Sequence, residues 1–229
     1  GDLEFRRVLF RSGEAKFLRA LSYFKLVQVF GDVTVNLSAS PAVDDTSILV
    51  RQSAASIYAD IIIPDLQDAI PALDNSGLGS GRASQIAARA LLGKVYTFQG
   101  DFGSAETQFA SVVNGASSVG VELQADFATI FGVDFDLNPE IIFATQISSS
   151  IVDEYGFSEF WSWSGGLDTK SLEPLDIDLI AAFDASPGDL RRAVTIDETL
   201  LASPKFPQTN GPEHDWIEIR LGDVILMYA

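Results

Sequence analysis

Residues 82–113 read RASQIAARALLGKVYTFQGDFGSAETQFASVV. Ala83, Ala87, Ala90, Leu91, Val95 and Phe98 recur at three- and four-residue spacing, which predicts a helix over 82–99 with one apolar face. Gly100 suits a helix C-terminus, and Asp101 is a natural N-cap for a second helix over 102–113. Ala105, Phe109 and Val112 form the apolar stripe of that second helix. With only Gly-Asp between them, the two helices must pack antiparallel. Gly93 and Ala105 are small where the backbones approach, and Tyr96 and Phe109 fill the space beside them.

Working outward, residues 13–30 predict a helix with Phe17, Ala20, Leu21, Phe24, Val27 and Phe30 on one face, ended by Gly31-Asp32. Residues 52–73 predict another, carrying Ile57, Tyr58, Ile61, Ile62, Leu66, Ala69, Ile70 and Leu73 inward, with a kink or break near Pro64. Residues 36–50 and 74–81 read as loop and turn. After Gly120 helical periodicity weakens and Gly, Pro, Ser and aromatics increase. Residues 141–147 (IIFATQI) predict a short strand. Residues 174–183 predict a short helix with Ile177, Ile180 and Phe183 inward, 203–215 a loop, and 221–229 the start of a helix that the sequence cuts off. The expected fold class is mostly α, with helix pairs over 13–119 and a loop-rich second half, 120–229, containing short strands. Residues 1–12 (GDLEFRRVLFRS) hold Arg6, Arg7 and Arg11 in an acidic chain and read as a non-native leader, with a native basic helix end as the alternative. The start at Gly and the end inside an apolar run lead us to expect a fragment.

The 229 residues include 32 Asp and Glu against 15 Lys and Arg, a formal net charge of −17. Such a surface repels phosphate backbones and anionic headgroups, which argues against nucleic-acid binding and unassisted membrane binding. No cysteine is present, which excludes disulfides, thiolate catalysis and Cys-bound zinc. The single histidine, His214, excludes a multi-His metal site within the chain. No apolar run approaches the length of a membrane-spanning helix.

Leu92-Gly93, Tyr96, Gly100, Phe102, Ala105 and Phe109 resemble the tetratricopeptide repeat. The match departs at Arg89, Val112 and Ser117, where Trp, Ala and Pro are usual. One repeat is not stable alone, so 13–30 and 52–73 are its expected partners. A wider set of blocks carries a more specific resemblance. These are GEAKFLRALSYFKLVQVFGD at 13–32, GRASQIAARALLGKVYTFQGD at 81–101, Asn138-Pro139-Glu140-Ile141-Ile142-Phe143, Asp189-Leu190-Arg191-Arg192, and the run Ile219–Ala229. In that order they resemble the SusD/RagB family of outer-membrane nutrient-binding lipoproteins. The resemblance implies a cell-surface glycan-binding protein without catalysis or cofactor, working with a SusC-like TonB-dependent transporter for import. It also implies membrane attachment only through an N-terminal lipid anchor, which this sequence lacks. Two rivals are a free-standing repeat adaptor for protein partners and a carbohydrate-active enzyme.

The segment SIVDEYGFSEFWSWSGG contains Asp153, Glu154, Tyr155, Phe157, Phe160, Trp161 and Trp163. Aromatic faces pack on the C–H faces of sugar rings while carboxylates and hydroxyls bond the ring hydroxyls. We therefore expect Trp161, Trp163, Tyr155, Asp153 and Glu154 to border the ligand site, against the plainer reading that the rings pin a long loop to the core. Asp134, Asp136 and Asn138 resemble the opening of a calcium loop, but the EF-hand Gly and Glu positions hold Pro139 and Thr145, so a solvated turn is expected and no metal. Gly77, Gly79 and Gly81 follow a helix rather than a strand and read as a turn between helices. His214, flanked by Glu213 and Asp215, reads as loop without a nucleophile partner.

Overall fold

The computed structural model describes residues 2–147, 175–199, 203–205 and 215–229. The chain divides into two compact units, residues 1–120 with 221–229, and residues 121–220.

The first unit is helical. It contains α1 (Asp2–Phe30), α2 (Ala54–Ile57), a π-helical turn (Tyr58–Ile62), α3 (Ile63–Ala72), α4 (Gln85–Gln99) and α5 (Phe102–Gly115). The predicted stripe of α1 is buried through Phe17, Ala20, Leu21, Phe24 and Val27, whereas Phe30 at its end is exposed. The helix also starts at Asp2, eleven residues earlier than the apolar spacing marks. Within that early stretch the Phe10 ring lies under the Arg82 guanidinium, 5.6 Å from its centroid, and Arg82 also forks onto Glu14 at 2.9 and 2.6 Å. Against α3, Arg19 forks onto the buried Asp65 at 2.6 and 2.7 Å, and Lys16 meets Asp68. A two-stranded ribbon, β1 (Val33–Thr34) with β2 (Arg51–Gln52), closes the 36–50 loop. Arg51 of that ribbon donates to the carbonyl of Phe30, an acceptor that the end of α1 leaves open, and to that of Asp32 in the turn beyond it.

The break expected at Pro64 takes the form of a π bulge. Pro64 has no N–H to donate to Asp60, so the preceding turn widens, and Ile63 N–H bonds to Tyr58 O in i→i+5 fashion. Pro64 then falls in the first turn of α3, where a missing donor costs least. The helix continues with its apolar face unbroken: Ile57, Ile61, Ile62, Leu66, Ala69 and Leu73 are all buried.

α4 begins at Gln85, with Ser84 Oγ accepting from Ala87 N at 3.2 Å, and ends on Gly100 in the left-handed region (φ 75°). Asp101 caps α5 through Ser104 N at 3.1 Å. Ala87, Ala90, Leu91, Val95, Ala105, Phe109 and Val112 are buried as the spacing requires. Phe98 is not: it is 57% exposed and meets Phe24 edge-on at 5.4 Å between centroids. The last element of this unit comes from far along the chain. The eight-residue helix at Leu221–Tyr228 buries Leu221 and Val224 and packs on α5 and α4.

The second unit is irregular, as expected, and is organised by one antiparallel strand pair. β3 (Ile141–Thr145) pairs with β4 (Trp216–Arg220), with Ile141 opposite Arg220 and Thr145 opposite Trp216, and register shifts between. Ile130, Ile141 and Ala144 form a small core, on which Phe127, Phe131, Leu137 and Ile217 pack. α6 (Ile177–Asp184) and α7 (Arg192–Thr195) complete the unit, and α8 is the helix at Leu221–Tyr228. α6 corrects the sequence reading at one position: Ile177 is 77% exposed, so the inward face rests on the half-buried Ile180 and Phe183. No described helix is long and apolar enough to cross a membrane.

Candidate functional site

Chain enters and leaves the segment 148–214 at one end of the β3–β4 pair. Asp153, Glu154, Tyr155, Trp161 and Trp163, the residues expected to touch ligand, lie within it and outside the described residues, as does His214. What the structure gives is the framework from which that segment departs.

At the far end of the strand pair, Glu140 is fully buried and doubly satisfied. Its Oε1 accepts from Arg220 Nη1 at 2.9 Å and its Oε2 from the Gln124 backbone N–H at 2.9 Å. A buried carboxylate is tolerated only with such partners. At the near end, Thr145 Oγ1 donates to Glu218 Oε1 at 2.9 Å across the last paired residues. Beyond them, the buried Asp215 accepts from the Ile147 N–H at 3.0 Å, and its own N–H donates to Asp136 Oδ1 at 3.2 Å.

Asp136 and Asn138 of the calcium-like motif are thus already engaged, Asp136 by the Asp215 N–H and Asn138 within the turn. Asn138 Nδ2 donates to Ile130 O and Phe135 O, and its Oδ1 accepts from Glu140 N. Between them Leu137 has φ 55°, the one described non-glycine residue in the left-handed region. Among the described residues no group of three or more His, Asp or Glu side chains is placed to hold a metal. The Gly77–Gly81 segment is a helix-connecting turn, with Gly79 and Gly81 at φ 70° and 68°.

Aromatic surface accompanies these polar groups. The Phe127 and Phe131 rings meet edge-to-face at 5.3 Å, and the Lys205 ammonium lies 5.4 and 5.1 Å from their centroids. Trp216, the first residue of β4, is half-buried. Alternation along β4 sends Ile217 into the core and leaves Trp216, Glu218 and Arg220 on the other face. An indole beside a hydroxyl-bonded carboxylate can accept a ring face and a hydroxyl together. Sequence reading placed Asp215 in a loop and did not mark β4; the alternating Trp-Ile-Glu-Ile-Arg was the available signal.

Residues 6–97 match the family model described as SusD-like, "Starch-binding associating with outer membrane". The chain is 26% identical over 241 aligned residues to SusD-like protein P2 of Formosa agariphila, covering 95% of this chain and 45% of that protein. In fold it is similar to a SusD superfamily protein from Bacteroides thetaiotaomicron, at TM-score 0.78 and 22% identity, over 98% of this chain and 54% of that one. It is likewise similar to a solved laminarin-binding SusD-like protein, at TM-score 0.72 and 23% identity, over 97% of this chain and 59% of that one. The chain therefore spans about half the length of these relatives. The family match covers α1 and most of α4, the curated relative aligns with nearly all of the chain, and the fold is shared with these solved structures, so the chain is similar to SusD-like proteins along its length.

Proposed function

We propose that this chain forms part of a cell-surface protein that binds a glycan and delivers it to a SusC-like TonB-dependent transporter, without catalysing any change in it. The observation that carries this reading is the match of residues 6–97 to a family described by starch binding and outer-membrane association. A structural relative named for laminarin binding supports a neutral polysaccharide as ligand. The charge of −17 points the same way, since sulfated or uronic chains would meet repulsion. The binding residues in this reading are Trp161 and Trp163 as stacking platforms, with Tyr155, Asp153 and Glu154 beside them. Attachment to the outer membrane through an upstream lipid, and transporter docking through the helical unit, complete the reading.

The test is calorimetric titration of the full-length protein with laminarin, starch and a sulfated galactan. Binding of a neutral glycan is expected. Trp161→Ala or Trp163→Ala should weaken it with the melting temperature nearly unchanged. Unfolding by both substitutions would assign the indoles to the core, and release of reducing ends would overturn the non-catalytic reading.

A further inference from the structure

The two faces of β4 differ in what they carry. Ile217 packs on the small core of Ile130, Ile141 and Ala144, and Ile219 is buried. Alternation places Trp216 and Glu218 together on the opposite face. β3 supplies a third group there. Thr145 is the cross-strand partner of Trp216, and its Oγ1 donates to Glu218 Oε1 at 2.9 Å. A bond from 145 to 218 is the diagonal contact of an antiparallel pair, which side chains make only from the same face. The indole, the hydroxyl and the carboxylate therefore share one cross-strand cell. Opposite Cβ atoms in such a cell are roughly 4.5–5.5 Å apart and diagonal neighbours about 7–8 Å.

This cell faces away from the Ile130 core and reaches solvent: Thr145 is exposed, and Trp216 and Glu218 are half-buried. An indole on that face leaves apolar area in water, at about 25 cal/mol per Å². A threonine at 216 would extend the strand without that cost. The hydrogen-bonding capacity of the cell is also one-sided. The hydroxyl proton of Thr145 is committed to Glu218, which leaves the threonine oxygen as an acceptor. An ionised carboxylate only accepts. Thr145 and Glu218 thus offer acceptors and no donor, beside an aromatic face. That combination fits a neutral sugar ring, whose C–H face packs on the indole and whose hydroxyls donate to the two oxygens. A sulfate or uronate group would set negative charge against Glu218.

We propose that Trp216, Glu218 and Thr145 form a subsite for one neutral sugar unit, the indole taking the ring face and the two side-chain oxygens its hydroxyls. The subsite rests on the glycan-binding reading above and adds to it residues of the strand pair.

The test is calorimetric titration of the full-length protein with laminarin, starch and a sulfated galactan. Variants are then titrated with whichever neutral glycan the wild type binds more tightly, and their melting temperatures are recorded. Thr145→Val keeps the branched shape and removes the hydroxyl, and Glu218→Gln removes the charge. Each should weaken binding about three- to tenfold while melting near the wild type. Trp216→Ala should weaken it about tenfold, and Trp216→Phe less. Glu218→Gln should also narrow the preference for the neutral glycan over the sulfated galactan, a change that a merely structural role would not produce. Should Trp216→Ala unfold the protein, the Thr145 and Glu218 variants decide the matter alone. Wild-type affinity in folded Thr145→Val and Glu218→Gln proteins overturns the subsite and leaves the glycan-binding reading standing. Failure of the wild-type protein to bind either neutral glycan overturns both.

Discussion

A Cβ placed on Gly93 would lie 2.5 Å from Cε1 and 2.7 Å from Cδ1 of Phe109, whose ring is fully buried between α4 and α5. No real carbon pair tolerates that distance, so the ring or a helix must move. Gly93→Ala gains up to about 1 kcal/mol of helix propensity but is expected to be destabilising overall, because the ring it displaces is buried against both helices. Gly93→Leu should cost about 1–3 kcal/mol or more. Urea titration measures both, and Phe109→Leu combined with Gly93→Ala should recover part of the loss.

Arg19 holds Asp65 between α1 and α3 by a two-pronged bond. The carboxylate side chain is 6% exposed while the guanidinium is 38% exposed. Arg19→Met strands a buried charge, but solvent reaches the site from the arginine side. The expected cost is therefore about 1–2 kcal/mol, below the figure for a fully buried pair. Arg19→Lys should retain the charge and lose the fork, giving an intermediate midpoint in chemical denaturation.

In the second unit the corresponding pair is better sheltered, with Glu140 2% and Arg220 18% exposed. Arg220→Met should cost about 3 kcal/mol, because Glu140 keeps only the Gln124 N–H as partner. Removing both charges together, as Glu140→Gln with Arg220→Met, should cost less than the single arginine change. A double-mutant cycle by thermal unfolding reads this directly.

The Arg191 guanidinium and backbone N–H hold the Asp189 carboxyl at about 2, below its ordinary 3.8. A depressed carboxyl pKa means that the folded state favours the charged form. The stabilisation is complete above about pH 4 and is lost as pH falls toward 2. An NMR titration of the Asp189 carboxyl carbon should give a midpoint near 2 at low salt, and Arg191→Gln should move it up toward 3.8. High salt should raise the midpoint as well, because the pair is at the surface.

The helical half was legible wherever one periodicity dominated. Ala87, Leu91, Val95, Phe109 and Val112 could be placed inward from spacing alone because each faces a neighbouring helix. Spacing failed at helix ends, where geometry no longer forces burial: Phe30 and Ile177 fit their stripes and are exposed. Pro64 showed where the helix would be disturbed but not how, since a widened turn and a break share the same missing donor. β4 carried the alternating Trp-Ile-Glu-Ile-Arg, but its pairing was beyond any local pattern, because its partner Ile141–Thr145 lies more than seventy residues away. The bonds of Asp215 to Ile147 and Asp136 were illegible for the same reason, since their partners arrive from distant positions in the sequence. Of the expected ligand residues, none falls among those the structure describes.

The first unit takes its final helix, Leu221–Tyr228, from beyond the whole of the second. On a ribosome moving at about 5–20 residues per second, the hundred or so codons between α5 and that helix take roughly 5–20 seconds. For that interval α5 has emerged, but Leu221 and Val224, which bury themselves in the unit, do not yet exist as polypeptide. The nascent chain must carry an uncovered apolar helix face through the synthesis of everything from Val121 to Arg220. Chaperone engagement of the growing chain should consequently begin once α5 is exposed and cease only when translation has passed Val224.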